Sequence, residues 1–247
     1  MKFEFVLSKH LMAYYLLFSE KSTSFSGLRS LKDALWDKYS KSYSFLRRDY
    51  PELFYILYNR KSMMNLLEDT NEIFVHLFDS DEFIKIYRET YTYMRQVERE
   101  WNINKYVVEK FLKRTLRISI PDENYYVYIV HPDTEVGRYI GELKIVLGTR
   151  PLWNNYSTVY IIHEYLHGLF DSLDFDDIAY LHATIELIAD NELRYFLHNI
   201  ADDKGYNFGH SHLKSVRTKL LQEWKKYMLN EKINIEEFIL SQQHKKL

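Results

Sequence analysis

The chain has no cysteine, and its 247 residues include only seven glycines and four prolines. Without cysteine there can be no disulfide, no thiolate metal site and no cysteine nucleophile. Any bound metal must therefore be held by histidine and carboxylate side chains. The shortage of glycine and proline predicts few long loops and leans towards helix. Neither sign of charge dominates: 33 basic and 35 acidic residues leave a net charge of −2. That balance gives no general attraction for nucleic acid or an anionic membrane. The apolar run Leu11 to Phe18 is too short to cross a bilayer, and Glu4, Lys9 and His10 interrupt a signal-peptide reading. These absences together predict a cytoplasmic protein with no membrane span and no nucleic-acid partner.

What is present is apolar and aromatic. At 46% hydrophobic, with 22 Tyr and 15 Phe, the chain can build a substantial core, as one large domain or as a helical lobe joined to a second unit. Leu7, Leu11, Tyr14, Tyr15 and Phe18 keep helical spacing, and apolar stripes predict further helices over 28–45, 51–67 and 71–78. A soft boundary near residue 80 separates this region, 1–80, from 81–247. A helix is expected from Asp81 to Trp101, then a break at Asn102-Ile-Asn104, then a second helix to Leu116. Next the period changes. Residues 125–130 and 143–147 are β-branched and aromatic runs bounded by Pro and Gly, read as two antiparallel strands across the loop 131–140. One helix is expected from Asp177 to Ile200, with two more over 213–229 and 235–242.

The chemistry lies after the strands, in His163-Glu164-Tyr165-Leu166-His167. On a helix, residues four apart lie on one face, so His163 and His167 can share a metal ion. Glu164 then sits beside the metal, where a carboxylate can take a proton from an activated water. Val159, Tyr160, Ile161, Ile162, Leu166, Leu169 and Phe170 make this helix apolar nearly all round, so it should be buried. Buried His and Glu side chains need partners, and a metal with its water supplies them. A catalytic zinc usually takes three protein ligands. Glu186 is the candidate third, with Asp190 one turn on to accept the free ring N–H of a ligand histidine. His182 and Glu192 are rival ligands.

The pair H-E-Y-L-H and E-L-I-A-D resembles the gluzincins, zinc peptidases in which H-E-x-x-H is followed on a later helix by a Glu ligand and, four residues on, an Asp. The resemblance covers residues 120–200 and singles out no branch. The G-x-M-E-N strand with which the aminopeptidase branch holds a substrate amino group is missing. Together with the patterning above, the resemblance leads to an expected α+β, mostly helical, zincin-like fold: a helical N-terminal region and a small antiparallel sheet read from periodicity, and an H-E-x-x-H helix packed on a second, Glu-bearing helix. It also implies zinc on His163, His167 and Glu186, Glu164 as general base, and Asp190 behind a histidine. A cleft-edge strand would pair with the peptide, 143–147 being the candidate. A downstream His or Tyr would stabilise the oxyanion, with Tyr206, His210, His212 and Tyr227 available.

The expected activity is zinc-dependent hydrolysis of peptide bonds in a peptide or protein substrate. One alternative keeps the metal and changes the substrate to a non-peptide amide or ester. Another is a helical interaction protein whose zinc site is structural or vestigial, with all four metal positions closed by protein.

Overall fold

The structure, a computed structural model, describes residues 1–18, 29–38, 40, 68–173, 175, 177–198, 208–230 and 232–243. Four short β-branched and aromatic runs form its one sheet: β1 (Lys2–Val6), β2 (Asn124–Ile129), β3 (Val136–Tyr139) and β4 (Lys144–Gly148), in the order β1-β2-β4-β3. The sheet is mixed, which corrects the antiparallel expectation. β1 pairs with β2 and β2 with β4 in parallel, and only β3 runs antiparallel, against β4. The physical reason is that 131–140 is not simply a loop. After a 3-10 turn at Pro132–Thr134, the segment returns as β3, and a tight hairpin then lays β4 between β3 and β2. The first residues, for which the sequence predicts no strand, alternate as Phe-Glu-Phe-Val and make up edge strand β1.

Helices cover both faces of the sheet. Alternation along β2 and β4 sends Val127, Ile129, Ile145 and Leu147 to one side and Tyr128, Val130 and Val146 to the other. The second side packs on α1 (Lys9–Phe18) and α2 (Glu68–Phe78) through Leu16, Phe74 and Leu77. The first side packs on α3 (Asp81–Leu116) and α4 (Tyr156–Phe170) through Trp101, Leu112, Ile161, Ile162 and Leu166. The expected helix over 51–67 and the end of the one over 28–45 lie outside the described residues, while 29–38 is helical.

α3 is one uninterrupted helix of 36 residues, without the break expected at Asn102-Ile-Asn104. An asparagine inside a helix costs under about 1 kcal/mol relative to alanine. Here the cost is offset, because the buried Asn104 donates to Asn155 Oδ1 at 3.0 Å and to Thr158 Oγ1 at 3.1 Å. Glu100, one turn earlier, accepts from the Thr158 backbone N–H at 2.6 Å. α3 thereby satisfies the first turn of α4, whose cap residue Asn155 makes no side-chain capping bond to the helix.

α5 (Ile178–Glu186) starts at Asp177, whose side chain accepts from Tyr180 N at 3.1 Å. The single helix expected from Asp177 to Ile200 is instead interrupted. Residues Leu187–Leu193 form a π-helical segment before the short α6 (Arg194–Leu197). α7 (Lys214–Leu229) and α8 (Ile235–Gln243) fall where the sequence put them, joined by packing of Trp224, Tyr227 and Phe238. Among the described residues no helix is long and apolar enough to cross a membrane.

Gly148 holds the end of β4 against the turn that follows β2. A Cβ there would meet Val130 Cγ2 at 2.5 Å and the backbone oxygen of His131 at 2.9 Å. Gly148→Ala is therefore expected to lower unfolding stability by about 1–3 kcal/mol, measured by urea titration.

Candidate metal centre and cleft

α4 lies under β3 with His163 and Glu164 buried and His167 partly so. α5 folds back along it and brings in a third imidazole. His163 Nε2 stands 3.2 Å from His182 Nε2 and 3.3 Å from His167 Nε2. The other ring nitrogen, His163 Nδ1, lies 2.9 Å from Asp190 Oδ2, within hydrogen-bonding distance. A carboxylate in that place holds a proton on Nδ1 and turns Nε2 towards the other two rings.

Charges follow the same layout. Burial resists charging of His163, but Asp190 above all, with Glu164 and Glu186, outweighs it and raises its pKa to about 9. Burial, then the neighbouring His163, His182 and His210, pushes His167 down to about 3. Burial and His163 likewise bring His182 to about 4. Two of the three rings are thus neutral at ordinary pH, the state in which an imidazole can take a metal. Burial also raises the Glu164 carboxyl, against the opposing pull of His163. Its Oε2 accepts the backbone N–H of Tyr139, in edge strand β3, at 2.7 Å.

Glu186 is fully buried one turn beyond His182, and its carboxylate faces away from the His pair. Oε2 pairs with the Arg217 guanidinium, and Oε1 accepts the His210 backbone N–H at 2.6 Å and contacts His210 Nδ1 at 2.7 Å. The donor grouped with His163 and His167 is His182, whereas Glu186, expected in that place, pairs with Arg217 and groups with His182 and His210. His182, Glu186 and His210 form a second, overlapping group of potential metal donors. Gly209, at φ +119°, lets the loop reach Glu186: a Cβ there would stand 2.5 Å from its carboxyl carbon. Asn191 pins the same loop, donating to Phe208 O at 3.0 Å and accepting from Phe208 N at 3.2 Å.

The other candidates divide plainly. His210 lines the cleft on both sides of the histidine cluster. His212 stacks outside His210 and is exposed. Tyr227 is in the core, its hydroxyl donating to Thr115 O at 2.5 Å, so it does not reach the cleft. Tyr206 lies outside the described residues. Glu192 is buried against Trp224, whose Nε1 donates to it at 3.2 Å. The strand 143–147 is interior, between β2 and β3, and the edge along the cleft is β3. Arg217 was not singled out in the sequence. Its signal is a cation set in the apolar stripe Leu213, Leu220, Trp224 of α7, which calls for a buried acidic partner.

Arg217→Met should leave Glu186 buried and uncompensated and cost about 3–5 kcal/mol of unfolding stability. Adding Glu186→Leu should recover most of that loss, which thermal or urea unfolding of the two variants would read directly.

Searches against protein-family models, curated proteins and solved structures find nothing that matches this chain.

Proposed function

We propose that the protein is a zinc-dependent peptidase whose ion is held by His163, His167 and His182, with Glu164 as general base. The observation that carries this reading is the spacing of the imidazole nitrogens. Zinc–nitrogen bonds of 2.0–2.1 Å in a tetrahedron put ligand atoms about 3.3–3.4 Å apart. The separations from His163 Nε2, 3.2 and 3.3 Å, fit that edge. Without an ion, only the proton that the raised pKa puts on His163 lies between the three nitrogens, and an ion held there would replace it. A zinc ion held there supplies a Lewis acid that acidifies a water and polarises a carbonyl.

The chain's own residues supply the rest. Asp190 fixes the His163 tautomer. Glu164, oriented through one oxygen by Tyr139 N–H, keeps its other oxygen for the proton of the attacking water and passes it to the leaving nitrogen. His210, held by Glu186, is positioned in the cleft to stabilise negative charge on the substrate oxygen. A peptide is favoured over other amides by edge strand β3. Ile140 N donates to Lys144 O, so by alternation the backbone groups of Gly137 and Tyr139 point away from β4; the Tyr139 N–H is taken by Glu164, which leaves the Tyr139 carbonyl and Gly137 along the cleft. An extended substrate can add to such an edge.

The closed, structural zinc site is the second reading, and it requires Glu186 on the ion as a fourth ligand. Engagement of both Glu186 oxygens by Arg217 and His210 favours the open site.

Glu164→Gln is expected to retain one zinc per chain and to lose on the order of 10²–10⁴-fold in kcat against a peptide library. Chelation of the wild type should abolish hydrolysis and added zinc restore it. Hydrolysis by the glutamine variant at the wild-type rate, or by metal-free protein, contradicts the reading.

A further inference from the structure

We infer that Arg194 is a binding site for a substrate carboxylate, so that the preferred peptide carries an acid on that side of the reacting bond. The inference of a substrate class rests on the peptidase reading above. Arg194 follows directly on the π segment, and its guanidinium carbon lies 4.0 Å over the Trp153 ring and 3.6 Å over the Phe208 ring. Stacking on rings uses the faces of the guanidinium and leaves its in-plane N–H groups free to bond. Among the described residues no carboxylate or carbonyl oxygen accepts from them. The buried Arg217 and the half-buried Arg117 are treated differently. Arg217 pairs with Glu186, and Arg117 donates to the carbonyls of Asn230, Ile233 and Tyr227.

A permanent, partly desolvated cation with unused donors is costly unless something binds it. Arg194 faces a pocket formed with Leu152, Trp153 and Phe208, which meets the histidine cluster at Tyr160, His163 and His210. Those same three residues line the other half of the cleft, beside β3. One substrate can therefore lie across the cluster with one end at Arg194. The charge balance selects the ligand. The lining holds a single Arg, and Asp190, one turn before it, shares the wall. A monoanionic, planar carboxylate matches one guanidinium fork, whereas a dianionic phosphate would meet too little positive charge. The carboxylate can be the C-terminus of a peptide or an Asp or Glu side chain.

The test uses the zinc-loaded Glu164→Gln protein, so that binding is read without turnover. Three matched N-acetyl pentapeptides are titrated by calorimetry: one ending in Leu with a free carboxylate, its carboxamide twin, and a carboxamide ending in Glu. At least one acid-bearing peptide is expected to bind about tenfold or more tighter than the Leu carboxamide. The peptide that does so names the source of the acid. Adding Arg194→Gln should remove the preference, and Arg194→Lys should restore part of it, with thermal melts confirming that both variants fold. Equal binding of all three peptides, no binding of any, or equal weakening of all three by Arg194→Gln overturns the inference. Acid-selective binding by a protein whose wild type cleaves no peptide would sink the peptidase reading and leave the carboxylate site standing. Cleavage without acid preference would do the opposite.

Discussion

The structure depends on how α4 and α5 satisfy ionisable groups inside an otherwise aliphatic core. His163, Glu164 and Glu186 are buried together with Ile161, Ile162, Ile185 and Leu187. Left alone, each would cost several kcal/mol. Each has found a partner through a different element: Asp190 from the π segment, Tyr139 N–H from β3, and Arg217 from α7. The surrounding fold can be read as the frame that brings these partners to one place. α3 sets the start of α4, the sheet presents its antiparallel edge, and α7 returns a cation across the chain.

The π segment does more than connect two helices. An α-helix repeats every 3.6 residues, and its locally widened turn changes which residues share a face. Within and around Leu187–Leu193, Asp190 faces His163, Asn191 holds the 208–210 loop, Glu192 meets Trp224, and Arg194 enters the cleft. Such segments often occur at functional sites, and here three consecutive residues, Asp190, Asn191 and Glu192, make polar contacts to three different elements, with Arg194 just beyond them.

Much of the site was legible from local periodicity. H-E-x-x-H on a buried helix, with Asp190 on the next one, needs only helical spacing and a short connection, and the structure puts Asp190 2.9 Å from His163. The choice between His182 and Glu186 was not legible, because both lie on one face of α5, a turn apart. The engagement of Glu186 by Arg217 bears on it, and Arg217 is far along the chain, its side chain brought over by the packing of α7. The sheet shows the same limit. β3 is four residues, Val-Gly-Arg-Tyr, too short and glycine-bearing to announce a strand, and parallel pairing of β2 with β4 depends on its return path. In α3, the two asparagines looked like a break because the partners of Asn104 at the start of α4 are far away in sequence.

The central claim, an open three-histidine site with Glu186 held off the ion, is tested most directly by X-ray absorption at the zinc edge of the purified, zinc-loaded protein. The account predicts three imidazole nitrogens and one light, non-imidazole ligand at each ion, unchanged in Glu186→Gln. A shell of four protein ligands, or a signal with only two imidazoles and a carboxylate that is lost in Glu186→Gln, would contradict it.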